Sequence, residues 1–64
     1  MVIRYDKDLD IVYIRFSDKI IQESNEDKPG VILDYDCEGS IVGIEVLNAS
    51  SQILQPNGIS YEVA

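Results

Sequence analysis

The sequence predicts a mainly β (α+β) fold, an antiparallel β-meander of five to six short strands with one short C-terminal helix. Three observations predict it. Ile and Val together number 16, against 6 for Leu and Ala, and branching at Cβ suits a pleated surface better than a helix. Apolar residues alternate with polar ones over several short stretches. Turn-forming residues punctuate the chain about every eight to twelve residues, the spacing of a meander. A chain of 64 residues makes a single small domain, residues 1–64. Such a domain buries only about 60% of its unfolded surface, which leaves little room for an internal substrate cavity.

The elements follow in order. Val2–Tyr5 reads as strand one, and Asp6-Lys7-Asp8-Leu9-Asp10 as the loop after it. Ile11–Phe16 is strand two, the clearest in the chain, and Ser17-Asp18-Lys19 is a turn. Ile20 to about Asn25 is strand three, with a polar end. A charged loop, Asn25 to Gly30, ends in Pro29, which lacks an N–H, and Gly30, which accepts positive φ. Val31–Asp36 is strand four, Glu38-Gly39 a turn, and Ser40–Leu47 strand five. Asn48 is a suitable N-cap for a short helix running to about Gln55, and Pro56-Asn57-Gly58 stops it. Ile59–Val63 alternates again as a last short strand.

Alternation also fixes a register. Val31, Leu33 and Tyr35 form the cleaner apolar side of strand four, and Val42, Ile44 and Val46 that of strand five. A two-residue loop at Glu38-Gly39 pairs Tyr35 with Val42, Leu33 with Ile44 and Val31 with Val46. A three-residue loop would set Asp34 beside Val42 in the core, which burial penalises. The two-residue turn is therefore expected, with a four-residue loop of the same parity as the alternative because Glu38 disfavours positive φ. Strand two adds Val12, Ile14 and Phe16 to this first face, and strand one adds Ile3 and Tyr5. The second face carries Ile11, Tyr13, Arg15, Ile32, Asp34, Ile41, Glu45 and Leu47. It is mixed rather than polar, and one short helix cannot cover a five-stranded sheet. The surplus apolar surface marks these eight residues as a candidate interaction surface.

Charge narrows the choice of partner. Acidic residues number 12 and basic residues 5, for a net charge of −7. The cations Arg4, Lys7, Arg15, Lys19 and Lys28 are scattered, so the basic footprint that phosphate contacts require is missing, and no nucleic-acid partner is expected. Anionic membrane surfaces are disfavoured for the same reason. The longest apolar run, Ile11–Ile14, is far too short to span a bilayer, and the N-terminus shows no signal peptide. A single cysteine, Cys37, makes no internal disulfide, so the expectation is a cytoplasmic chain with a free thiol. A small basic protein, by contrast, would be steered toward this chain by its field.

The motifs that suggest chemistry are weak. Asp6-Lys7-Asp8-Leu9-Asp10 opens like a calcium loop, but Ile11 and Ser17 stand where such a loop needs Gly and Glu. A hairpin loop whose Asp side chains bond nearby N–H groups is the better reading. Asp34 and Glu45 share the second face, and Asp36 and Glu38 sit near the turn. Paired carboxylates do acid–base work or hold a metal only in a partly dry pocket, so an ion pair with Arg15 or a solvated rim is expected instead. Cys37 has no cationic neighbour, and the chain has no histidine, which removes Cys-His and Ser-His-Asp catalysis. Gly30, Gly39, Gly43 and Gly58 are isolated, so no phosphate loop exists. Tyr5, Tyr35 and Tyr61 read as half-buried packing residues, while strand parity sets Tyr13 away from the main core.

Tyr5-Asp6, Asp10, Tyr13-Ile14-Arg15-Phe16-Ser17, Pro29 to Asp36, Gly39 and Val42 to Ser50 follow one another in an order and spacing that resemble the small prokaryotic family labelled domain of unknown function 2283. The resemblance covers roughly residues 2 to 50. It implies a stand-alone protein of about this size, with no established activity and no catalytic residues to carry over. The family's recurrent Arg, Asp and Glu fall here on Arg15, Asp34 and Glu45. Some members look as if encoded beside small toxin-like proteins, which implies an antitoxin-like role. The expectation is a non-enzymatic protein-interaction module that neutralises a small basic partner, with no cofactor. One alternative is a homodimer that buries Ile11, Tyr13, Ile32, Ile41 and Leu47. Another is a divalent-metal or small-ligand binder using Asp34, Asp36 and Glu45.

Overall fold

Five strands form one antiparallel sheet, followed by a single helical turn: β1 (Val2–Asp6), β2 (Ile11–Arg15), β3 (Glu23–Lys28), β4 (Val31–Tyr35), β5 (Ile41–Val46) and α1 (Ala49–Gln52). The computed structural model describes residues 1–53, 55 and 58–64. The strand order is β1-β2-β5-β4-β3. Three connections are hairpins, and the fourth, residues 16–22, crosses one end of the sheet to reach the far edge. The centre goes to β5, which contributes the buried Val42 and Gly43. A strand with little polar surface gains most from a neighbour on each side.

That crossover is why the third strand lies later than expected. The apolar Ile20 and Ile21 are spent on the crossing and stay 85% and 39% exposed. The strand itself is Glu23–Lys28, exposed throughout. An edge strand needs no apolar side to pair, and charged side chains there discourage pairing with other chains. The loop expected from Asn25 shrinks to Pro29-Gly30, with Gly30 at φ +82°. These residue types suit a type II turn, and the register irregularity between Glu26 and Lys28 lies directly beside it.

Between β4 and β5 the expected two-residue turn is replaced by a three-residue loop. Asp36 N donates to Ser40 O at 2.9 Å and Gly39 N donates to Asp36 O at 3.1 Å, with Gly39 at φ +84°. The odd loop length shifts parity by one residue. A bulge then shifts it back: Asp34 faces Gly43 while Tyr35 faces Ile41, leaving Val42 as the extra residue of β5. Leu33 therefore still faces Ile44 and Val31 still faces Val46. Asp34 stays out of the apolar side, and only the Tyr35 pairing departs from expectation.

The register carries the two faces across the sheet. Ile3, Ile14, Ile44 and Leu33 form one row, and Tyr5, Val12, Val46 and Val31 the next. These rows belong to the first face, and Val12, Ile14, Leu33 and Ile44 all share it. Yet of that face only Val12 and Val42 are buried, and Ile3 and Phe16 remain 40% exposed. The side expected to be the closed core is thus incompletely covered, because α1 is four residues long and is held at the end of the sheet.

The helix is shorter than the expected span, and Asn48 does not cap it. Asn48 has φ +50° and makes no side-chain cap bond. The cap comes from the β1–β2 turn instead. Ala49 N donates to Asp10 O at 2.9 Å, and Ser50 N donates to Asp10 Oδ1 at 3.0 Å. Gln55, the expected end of the helix, is not helical; Leu54 before it and Pro56-Asn57 of the expected stop lie outside the described residues. The last strand is also corrected: residues 58–64 have no regular structure. Ile59, Tyr61 and Val63 are 60%, 80% and 80% exposed, so little burial offsets the entropy of ordering them.

Candidate interaction surface

Strand pairing assembles most of the second-face residues into two rows. Arg4, Tyr13, Glu45, Ile32 and Glu26 are successive partners across β1, β2, β5, β4 and β3. Val2, Arg15, Gly43, Asp34 and Ser24 form the neighbouring row. Ile11 faces Asp6 one step further along. Leu47 lies just past β5, where its N–H donates to Gly30 O at 2.8 Å. Ile41 departs from this face: the bulge pairs it with Tyr35, the first-face neighbour of Leu33.

Gly43 shapes the middle of the surface. A Cβ at this position would lie 2.9 Å from Ile14 O and 2.9 Å from Tyr13 Oη. The tyrosine therefore leans over the glycine, which explains why Tyr13 is half-buried on the side away from the main core. Asp34, beside Gly43, is 4% exposed and accepts from Ser24 Oγ at 2.6 Å. A buried carboxylate needs such a partner. Glu45 stands between Tyr13 and Ile32, half-buried.

Arg15 does not pair with a carboxylate, contrary to expectation. Its Nε donates to Ser17 O at 2.8 Å and its Nη2 to Lys19 O at 3.2 Å. It holds the start of the crossover, whose carbonyls have lost strand partners. Asp36 anchors the same segment from the other side. Its Oδ1 accepts from Glu38 N and Ser40 N, each at 2.9 Å, and Lys19 Nζ lies 3.6 Å from its Oδ2. The backbone N–H groups of Ser40 and Glu38, with the nearby ammonium, hold this carboxyl below its ordinary range against the opposing effect of burial.

The Asp-rich loop serves the backbone, as the hairpin reading expects. Asp6 Oδ1 accepts from Asp8 N and Leu9 N at 3.1 Å each. Asp10, at φ +55°, accepts from Ser50 Oγ at 2.7 Å and from Tyr5 Oη at 2.8 Å. The Ser50 and Tyr5 bonds lower the Asp10 pKa, and the same Tyr5–Asp10 bond raises the phenol. Among the described residues, no three His, Cys, Asp or Glu side chains gather as a metal site. Asp34, Asp36 and Glu45 are taken up separately, by a serine, by a turn and on the open face. Cys37 is a free, exposed thiol in the β4–β5 loop.

A hollow lined by Val2, Arg15, Phe16 and Asp18 touches one margin of the candidate surface. Arg4, Asp6, Leu9, Ile11, Tyr13 and Glu45 line a shallow groove. Arg4 Nη2 is 3.9 Å from Asp6 Oδ2, a solvent-exposed contact of small energy. Arg4, Asp6 and Leu9 were not among the expected surface residues: Arg4 and Asp6 reach this face by strand pairing with Tyr13 and Ile11, and Leu9 through the β1–β2 turn. Chemically the groove offers two carboxylates and one guanidinium beside apolar walls; with Asp6 facing Arg4, Glu45 is the carboxylate that suits a cationic side chain with an aliphatic stem.

Among the described residues, no helix is long and apolar enough to cross a membrane. The model of the family described as "Protein of unknown function (DUF2283)" matches residues 2–50. No curated protein and no solved structure matches the chain.

Proposed function

The chain belongs to the DUF2283 family, whose description assigns no function, and from the geometry of its second face we propose that it is a non-enzymatic module binding a basic protein. The observation that carries this reading is the groove of Arg4, Asp6, Leu9, Ile11, Tyr13 and Glu45, in which Arg4 lies against Asp6 and Glu45 faces the apolar wall. A lysine or arginine laid in it sets its stem against Leu9, Ile11 and Tyr13 and its charge beside Glu45, while Asp6 stays with Arg4. The −7 net charge accelerates the approach of a cationic partner. Nucleic acid and anionic membranes are disfavoured by the same field. An antitoxin-like role, neutralising a small basic protein in the cytoplasm, is the form of this reading that fits both the family resemblance and the exposed free thiol.

The test is a titration of the labelled full chain with a short lysine- and arginine-bearing peptide, followed by amide shifts. Expected are saturable shifts centred on Leu9, Tyr13 and Glu45, weakened by salt and reduced about tenfold in affinity by Glu45→Gln. Shifts scattered over all acidic loops, with no effect of Glu45→Gln, would overturn the assignment of the groove.

A further inference from the structure

We propose that a second copy of this chain packs on the first face, sheet against sheet, to form a homodimer. Cover is the first argument. The face is aliphatic or tyrosine at every register position of β1, β2, β4 and β5, from Ile3 to Leu33. Its residues are nonetheless left half-buried or exposed except Val12 and Val42. Among the described residues, the C-terminal tail meets the face at the β1 margin, where Ile59 and Tyr61 line a hollow with Met1 and Ile3, and these tail residues stay largely in solvent.

Charge then selects the occupant. At the register positions of this face, charged side chains occur only on edge strand β3, where Glu23 faces Tyr35 and Lys28 faces Val31; Asp10 reaches the end of the face, where it is bonded by Tyr5 and Ser50. A basic partner would find no carboxylate on the other four strands, and Asp10 at their end is already held by Tyr5 and Ser50. The occupant must itself be apolar and uncharged, and the same face of another copy meets that description. The net charge of −7 does not forbid it. Packed sheets lie about 10 Å apart, which places the outer, charged faces of two copies on the order of 20 Å apart. Screening acts over about 8 Å at physiological salt.

Size is the third argument. Five strands of five or six residues cover a flat footprint of roughly 400 Å², and with side-chain relief on the order of 600–800 Å² of accessible surface per copy. That reaches the range of stable dimers, about 600–1,000 Å² per partner. The alternative interface over Ile11, Tyr13, Ile32, Ile41 and Leu47 is less suited, because Arg4, Arg15, Glu45 and Glu26 lie on that side. The dimer therefore leaves the groove for basic side chains open.

The experiment is light scattering of the full chain from low to several hundred micromolar, with thermal melts at each concentration. Expected are a particle of twice the 7.2 kDa chain mass and a midpoint that rises with concentration. Ile3→Lys changes a residue already 40% exposed, so the strand signal in circular dichroism should survive while the dissociation constant weakens at least tenfold. Leu9→Lys, in the groove, should leave the dimer intact and abolish peptide binding. A particle of one chain mass at every concentration would overturn the proposal. So would a dimer broken by Leu9→Lys and unaffected by Ile3→Lys.

Discussion

Gly43 and Tyr13 show how single residues set this surface. The glycine is required by space: an added Cβ would press on the Ile14 carbonyl and the Tyr13 hydroxyl. Gly43→Ala should destabilise the chain by about 1–3 kcal/mol, as overpacking does, measured by urea unfolding. Tyr13→Phe should relieve part of that penalty in the double variant, since one of the two obstacles is removed. Two carboxyls, Asp10 and Asp36, have pKa values lowered from 3.8. Above about pH 5 both the folded and unfolded forms are ionised, and their contribution is complete. As pH falls through 3.8 the unfolded chain takes up protons first, so stability is lost until the lower folded values are passed. Tyr5 works in the opposite direction. Its raised pKa gives stability that is complete below pH 10.0 and is lost as pH rises through the folded value. Denaturation midpoints against pH should show both slopes, with the acid slope shallower in Asp36→Asn. The role of Asp36 was legible in Asp36-Cys37-Glu38-Gly39, since Asp at the first and Gly at the fourth position mark a type I turn. Parity argued against the three-residue loop that follows, and only the compensating bulge at Val42 reconciles the two.

Among the elements, β2 and β4 read plainly because each is a short run rich in Cβ-branched and aromatic residues bounded by turn residues. The third strand did not, since an edge position removes the need for an apolar side and Glu23–Lys28 has none to recognise. Alternation in Ile59–Val63 misled for the opposite reason: a pattern is only an opportunity to pair, and the described tail makes no strand. The helix depends on a residue distant in sequence. Asp10→Ala should speed amide exchange at Ser50, whose N–H bonds its carboxylate, while Ile44 in β5 stays protected. An Asn48→Gly change, which keeps the left-handed backbone at φ +50° accessible, should do far less, because Asn48 makes no cap bond. Gly39→Ala forces φ +84° on a residue with a side chain. It should lower stability by about 1–2 kcal/mol, read as an earlier urea midpoint at unchanged slope.

For the whole molecule, charge and cover decide behaviour. A net charge of −7 on 64 residues repels itself in the compact state. Raising salt from about 0.01 M to about 1 M shortens the screening length from about 30 Å to about 3 Å. The melting midpoint should therefore rise, while binding of a basic peptide weakens. A midpoint that falls with salt would mean that pairs such as Lys19–Asp36 outweigh the general repulsion. The candidate surface was partly legible. Tyr13, Glu45 and Ile32 fall in one row as alternation requires. Asp6 joins them by strand pairing with Ile11, Leu9 only through the β1–β2 turn, and Arg15 turns away to the crossover.

Local rhythm alone was enough to place β1, β2, β4 and β5, to pair β4 with β5 antiparallel and to set most of their side chains on the correct face, because a pleat repeats every two residues whatever surrounds it. Strand order, the bulge, the borrowed helix cap and the open state of the apolar side lay beyond it. Each depends on which distant groups meet: Asp10 with Ser50, Asp36 with Lys19, β3 with the far edge of β4. A two-residue period carries no information about such meetings, since they are settled by competition for burial and hydrogen-bond partners in the assembled sheet.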